Sequence, residues 1–241
     1  MNFGDLKFNL TKRSLRSAFF RVKYQKKSQN PSPLIADLLR LTGYVVSKAV
    51  WFLRYHGLEN IPENSSGAFL VVSNHQTYID PVWVCLPMRR KIRYMAIEKA
   101  FDWKFVGRLI RYMGAFPVSP DAAGTVGAMK ESLRAVKDGA VLTIFPEGER
   151  EFADGRMLKF KTGAVKIAMH TGVPILPVTI SGGNRIWPQK QKYPRLFRRV
   201  NITYHPVIKI VEDKSVTTET NLELWTERLK AIIGGTDRPS Y

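Results

Sequence analysis

The sequence predicts an α/β fold, a mixed and largely parallel sheet flanked by helices, preceded by a basic amphipathic helical pair. Past Gly57, short apolar runs of strand length alternate with segments of helical spacing. Before it, Lys and Arg interleave with Leu, Phe and Val. The 241 residues, 44% hydrophobic and 24% charged, suit one enlarged domain with an appendage or two small domains, and exclude wholesale disorder and a polytopic membrane protein. The expected division is an N-terminal amphipathic helical region over 1–56 and an α/β domain over 57–241.

In the first thirty residues, Leu6, Leu10, Leu15, Phe19 and Phe20 stand among Lys12, Arg13, Arg16, Arg21 and Lys23. Asn30-Pro31-Ser32-Pro33 ends this segment and starts the next, with Ser32 as N-cap and Pro33 at the first helical position. A helix over 33–55 follows, on which Asp37, Arg40, Ser47, Lys48 and Arg54 form a narrow polar stripe and apolar residues fill the remainder. Two readings of so wide an apolar arc stay open. The helix packs into the core, or it lies in a membrane interface with Trp51 and Tyr55 at headgroup level.

Within the α/β part, 68–72, 140–145 and 173–178 read as buried strands. Val126, Met129, Leu133 and Val136 have helical spacing and stop at Asp138-Gly139, and Ala164, Ile167 and Ala168 form a second stripe that ends at Thr171-Gly172. The stretch 185–209 is basic, without an acidic residue, and passes from an irregular loop into an alternating strand over 200–210. Leu222, Trp225, Leu229 and Ile232 mark a closing helix.

Thirty-eight Lys and Arg against twenty Asp and Glu leave a formal charge of +18, which calls for a polyanionic surface or an acidic ligand. The single cysteine, Cys85, forbids an intramolecular disulfide and suits a reducing compartment. No secretory signal is visible, and no ordinary spanning helix: 41–53 is short and interrupted by Lys48, while Pro174 and Pro177 break 167–184. No helix-turn-helix, RNA-binding aromatic signature or zinc finger is present, so nucleic acid is not the expected partner.

Two motifs fall at ends of predicted strands, where ligand and catalytic groups gather in open α/β sheets. The first is Ser73-Asn74-His75-Gln76-Thr77-Tyr78-Ile79-Asp80. His75 can take and return a proton near neutral pH, and Asp80 can turn back to accept the other imidazole N–H. That is the base-and-orienter arrangement of a serine hydrolase without an enzyme nucleophile, a role open to a substrate hydroxyl. The competing reading is a helix N-terminal cap. The second is Phe145-Pro146-Glu147-Gly148-Glu149-Arg150: Gly148 permits a sharp turn, Arg150 offers a planar fork for phosphate, and Glu147 can accept backbone N–H bonds. An ordinary strand-ending turn is the alternative. His170 and His205 have no carboxylate or Cys at metal-ligand spacing, so no metal site is expected.

Taken together, the chain resembles the PlsC-type glycerolipid acyltransferases, which include 1-acylglycerol-3-phosphate acyltransferases. Asn74-His75 through Asp80 matches their His, four residues, Asp motif, and Phe145 to Arg150 matches Phe-Pro-Glu-Gly-Thr-Arg apart from Glu149. Asp154-Gly155, Phe160-Lys161-Thr162-Gly163-Ala164 and the strand 173–178 follow in the family's order. The family's second motif, Gly-x-Phe-x-Val-Asp-Arg, is met by Gly114 to Val118, but Ser119-Pro120 replaces its Asp-Arg pair and removes an expected phosphate-binding arginine.

The resemblance implies that His75 is the general base, Asp80 its orienting partner and Arg150 the acceptor-phosphate ligand. Glu147 and Gly148 would shape that pocket, with Lys99 adding a second positive charge. It implies an O-acyltransferase that moves a fatty acyl group from a thioester to a lysophospholipid, with 1-acyl-sn-glycerol 3-phosphate as the favoured acceptor. The co-substrate would be acyl-CoA or acyl carrier protein, with no further cofactor. The N-terminal helices would dock on an anionic membrane surface, the protein being peripheral or monotopic on the cytoplasmic face. The loss of Arg at position 120 keeps open an acceptor without a phosphomonoester, and the charge alone a non-catalytic basic binding module.

Overall fold

The computed structural model describes residues 32–119, 122–150, 155–188, 191 and 193–235. The basic segment before Ser32, which holds the first of the two expected N-terminal helices, lies outside them. Seven strands form one sheet: β1 (Arg54–His56), β2 (Leu70–Ser73), β3 (Ile92–Ile97), β4 (Ala115–Val118), β5 (Val141–Ile144), β6 (Ile175–Ser181) and β7 (Asn201–Tyr204). Among the described residues six α-helices surround it: α1 (Pro33–Trp51), α2 (Asp80–Cys85), α3 (Val106–Tyr112), α4 (Ala122–Lys137), α5 (Gly163–Thr171) and α6 (Thr218–Gly234).

The strand order is β1-β7-β6-β2-β5-β3-β4, and every neighbouring pair is parallel except β6 with β7. All four residues of both β2 and β5 are buried, because helices cover the two faces of the sheet. On one face Phe69, Val71, Val141 and Leu176 pack with Trp83 and Val84 of α2 and with Leu53. On the other, Leu70, Val72, Leu142 and Ile175 pack with Ala164 and Ile167 of α5 and Leu229 and Ile233 of α6. Continuous apolar runs, rather than alternation, are what such two-sided burial requires.

The connections decide where a crevice opens. Strand β2 passes through α2 to β3, crossing β5; β5 passes through α5 to β6, crossing β2 the opposite way. The loops leaving β2 and β5 therefore diverge at their C-terminal ends, which is the switch point where α/β sheets bind ligands.

The N-terminal helix departs from expectation at its end and in its orientation. It stops at Trp51, where Phe52 takes the left-handed conformation (φ 44°), and Arg54–His56 becomes an edge strand beside β7 instead of a last helical turn. Arg54 is thus not part of the helical stripe. Long-range bonds favour the strand: Arg54 N–H donates to Val200 O at 3.0 Å and the Tyr55 hydroxyl to Trp83 O at 2.7 Å. The polar stripe faces the domain. Asp37 pairs with Arg89 at 2.9 Å, Arg40 donates to Arg90 O, and Ser47, buried, accepts from the Trp83 indole at 3.1 Å. Leu34, Leu38, Leu41 and Val45 are exposed. No helix among the described residues is long and apolar enough to cross a membrane.

Candidate functional site

The loop after β2 is anchored before it begins. The Asn74 side chain donates to Ile180 O (3.0 Å) and accepts from Ile180 N–H (2.7 Å), which extends the β2–β6 ladder by one residue with an amide side chain in place of backbone. Ser73 is buried and its hydroxyl donates to Asn74 O, so it offers no nucleophile beside the histidine.

Asp80, the first residue of α2, is wholly buried. Its Oδ2 lies 2.9 Å from His75 Nδ1 and accepts the backbone N–H groups of Gln76 (2.5 Å) and Thr77 (2.7 Å), while Oδ1 accepts the Thr77 hydroxyl at 3.0 Å. These partners precede the helix, so Asp80 ties the loop to itself and does not cap the amides of α2. A carboxylate so supplied with donors is fixed in one orientation. With Nδ1–H directed to Asp80, Nε2 is the nitrogen left to accept a proton. The ring, 18% exposed, stacks on Phe145 with centroids 4.2 Å apart. Phe145 opens the loop after β5, so the two motifs meet at the switch point.

Glu147 joins them further. It is buried; Oε1 accepts the His75 backbone N–H (2.8 Å) and Oε2 that of Leu158 (2.7 Å). The expected anchoring of amides is thus observed, one amide further along the same connection and the other on the loop after β2. Gly148 has φ 75°, and a Cβ there would collide with the side chain of Lys161, whose own N–H donates to Pro146 O at 2.8 Å.

The Arg150 guanidinium carbon lies 3.0 Å from the centroid of Tyr78, a residue between His75 and Asp80. Burial pulls the Arg150 pKa down, opposed by Tyr78 and by the charge of Asp80. Tyr78 in turn meets Trp187 and Trp103 edge to face, at 5.2 and 6.1 Å.

The structure thus brings His75, Asp80, Glu147, Gly148 and Arg150 into one bonded unit. Lys99 stands apart, exposed in the turn after β3 on the same sheet edge, with no described hydrogen bond to the other loops. The exposed Lys161, beside Gly148, was legible only as part of the Phe-Lys-x-Gly-Ala stretch, and Tyr78 and Gln76 only as spacers within the first motif. Gln76 Oε1 accepts from Gly183 N–H at 2.8 Å, which holds the β6 end of the site. Where the second motif lacks its Asp-Arg, the Ser119 hydroxyl donates to Glu98 at 2.5 Å. Pro120 and Asp154 lie outside the described residues. No three His, Cys, Asp or Glu side chains gather as a metal-binding group among the described residues. A groove of about 720 Å³ between α1 and β1, lined by Arg40, Tyr44 and Tyr55, contains none of these site residues.

Fold and site define a class of α/β protein in which a carboxylate-oriented histidine and a half-buried arginine share one switch point, with no enzyme nucleophile attached among the described residues. The chain belongs to the acyltransferase family, whose model matches residues 52–181. A chloroplastic 1-acyl-sn-glycerol-3-phosphate acyltransferase of Brassica napus is 35% identical over 133 residues, 55% of this chain and 38% of that protein. A 1-acyl-sn-glycerol-3-phosphate acyltransferase of Streptococcus pneumoniae is 30% identical over 174 residues, 69% of this chain and 61% of its own. The chain therefore spans well under half the length of its plant relatives. The crystal structure of the 1-acyl-sn-glycerophosphate acyltransferase PlsC from Thermotoga maritima, 24% identical, shares the fold with a TM-score of 0.62, covering 92% of this chain and 90% of that one.

Proposed function

We propose that this chain transfers a fatty acyl group from an acyl thioester to the free hydroxyl of a lysophospholipid at a membrane surface, with 1-acyl-sn-glycerol 3-phosphate as acceptor and phosphatidic acid as product. The observation that carries the reading is the His75–Asp80 pair, 2.9 Å apart at the switch point and joined through Glu147 to the loop that bears Arg150. His75 Nε2 takes the acceptor hydroxyl proton as the oxygen attacks the thioester carbonyl. The tetrahedral intermediate collapses with loss of the thiolate, which takes the proton back from the imidazolium. Asp80, against Nδ1, orients the ring and stabilises that imidazolium. No acyl-enzyme is required, because the thioester is already activated.

Arg150 binds the acceptor phosphate, Glu147 and Gly148 shape its pocket, and Lys99 and Lys161 add positive charge at the rim. The names of the Brassica and Streptococcus relatives support this acceptor. The donor is acyl-CoA or acyl carrier protein, and no further cofactor is needed. The charge of +18 and the outward Leu34, Leu38, Leu41 and Val45 of α1 support peripheral or monotopic docking on the anionic, cytoplasmic face of a membrane.

One observation favours a second reading. Ser119 and Glu98 occupy each other where an Asp-Arg pair is usual, and an acceptor without a phosphomonoester would not miss the absent arginine. Thiol release from oleoyl-CoA by vesicle-reconstituted protein tests both, with 1-acylglycerol 3-phosphate or lysophosphatidylcholine as acceptor. Release with the phosphorylated acceptor alone, reduced about a hundredfold or more in His75→Ala, is the expected result. Equal release with the neutral acceptor selects the second reading, and full activity of His75→Ala removes the histidine's role.

A further inference from the structure

The two helical layers present different surfaces. Beneath the sheet, α4 and α6 expose Lys130, Arg134, Glu223, Glu227 and Arg228, with Val126 and Leu224 exposed singly among charged neighbours. The layer of α1, α2 and α3 exposes apolar groups, and not on α1 alone. Around the start of α3, Trp103 is 50% exposed, Phe105 84%, Val106 42% and Leu109 47%. Scattered single apolar residues on a surface need no explanation, but four within seven positions form a patch.

This patch is rigidly presented. Gly107 lies so close to the Phe101 backbone that a Cβ would collide with it. The N–H groups of Gly107 and Leu109 donate to Trp103 O and Phe105 O at 2.7 and 3.0 Å, and Arg111 donates to Phe101 O at 3.1 Å. Phe101, Ile110 and Met113 point inward against Tyr94 and Ile92. Ile92 also packs in the cluster beneath α1 and α2, whereas Met95, on the other side of the same strand, packs against the cluster that α4, α5 and α6 share with the opposite sheet face. Helix α3 therefore lies on the sheet face that carries α1.

We propose that residues 103–109 form a second bilayer-contacting element, coplanar with the apolar face of α1, so that the protein moors at two points with the mouth of its site between them. The proposal rests on the membrane reading above. Its chemistry is interfacial: Trp103 and Phe105 with Val106 and Leu109 enter the headgroup and acyl boundary, and Lys99, Lys104 and Arg108, all exposed, surround them against one exposed carboxylate, Asp102. That net positive rim matches an anionic leaflet. Trp103 touches Tyr78, which carries Arg150, so a lipid leaving the leaflet at this element meets the site directly.

The test uses the full chain with one added cysteine, in Phe105→Cys, Leu38→Cys or Leu224→Cys, each labelled with an environment-sensitive fluorophore. Cys85 is buried and its thiol is pushed up to about 11 by that burial, so it stays unlabelled. Vesicles of equal parts phosphatidylethanolamine and phosphatidylglycerol, with and without doxyl-labelled lipid, are then added. The expected result is a blue shift and doxyl quenching at positions 105 and 38, with no change at 224 on the opposite layer. A response at 38 without one at 105 overturns the second element and leaves the membrane reading intact. Silence at all three overturns both, and equal responses at all three mean adsorption without orientation and overturn the proposal. A response at 105 to acyl carrier protein but not to vesicles overturns it in favour of a carrier-docking patch.

Discussion

Asp80 serves its own loop as much as the histidine it faces. One oxygen takes two backbone amides and the imidazole, so Asp80→Asn would place an amide against donors it cannot all accept. Turnover is expected to fall about a hundredfold or more, with a lower thermal midpoint, checked by steady-state kinetics beside a melting curve. Tyr78 carries a separate prediction. Because Arg150 lies over its ring, Tyr78→Ala should raise KM for a phosphorylated acceptor about tenfold with little change in kcat, and Tyr78→Phe should restore it. A loss confined to kcat would contradict this positioning role. The His75 and Asp80 pairing was readable because five residues suffice to bring the two together. The partners of Glu147 were not, since His75 lies 72 positions away and no local pattern records a bond across two loops.

At the scale of elements, the join between the β2 loop and β6 rests on Asn74. Truncation to alanine leaves a buried N–H and a buried C=O of Ile180 without their partners. At about 1–3 kcal/mol for each unsatisfied group, Asn74→Ala is expected to cost about 2–6 kcal/mol, read as a shift of the urea midpoint at unchanged slope. Helix α1 shows what periodicity can and cannot say. Its polar stripe was visible in the spacing of Asp37, Arg40 and Ser47, but the side that faces the domain was not. Arg89, Arg90 and Trp83, supplied from far along the chain, turn the polar side inward.

At the scale of the whole molecule, His205 links β6, the segment after β7 and α6. Thr179 donates its hydroxyl to Ile233 O at 2.6 Å and lies 2.7 Å from His205 Nε2, while burial holds the His205 pKa below its ordinary value. Above about pH 6.5 the imidazole is neutral both folded and unfolded and contributes no slope. As pH falls through that value the unfolded chain takes a proton that the folded chain resists, so stability declines until the folded pKa is also passed. The thermal midpoint should therefore drop on mild acidification, and His205→Gln should remove part of that drop; an unchanged pH slope in the variant would remove His205 as its source.

What the sequence determined by itself is local: the apolar runs that became β2, β5 and β6, the breakers that end α4 and α5, and the two motifs at strand ends. Hydrophobic period, turn chemistry and a spacing of five residues act within a few positions, and the chain states them directly. Tertiary structure alone decided the rest. The strands β1 and β3, the placement of β5 between β2 and β3, the bridge made by Glu147 and the outward apolar residues of α1 and α3 all depend on groups tens of residues apart. Burial on both faces of a sheet fixes which strands neighbour each other. That neighbourhood, not local propensity, decides which side chains meet at the switch point and which remain turned toward the surroundings.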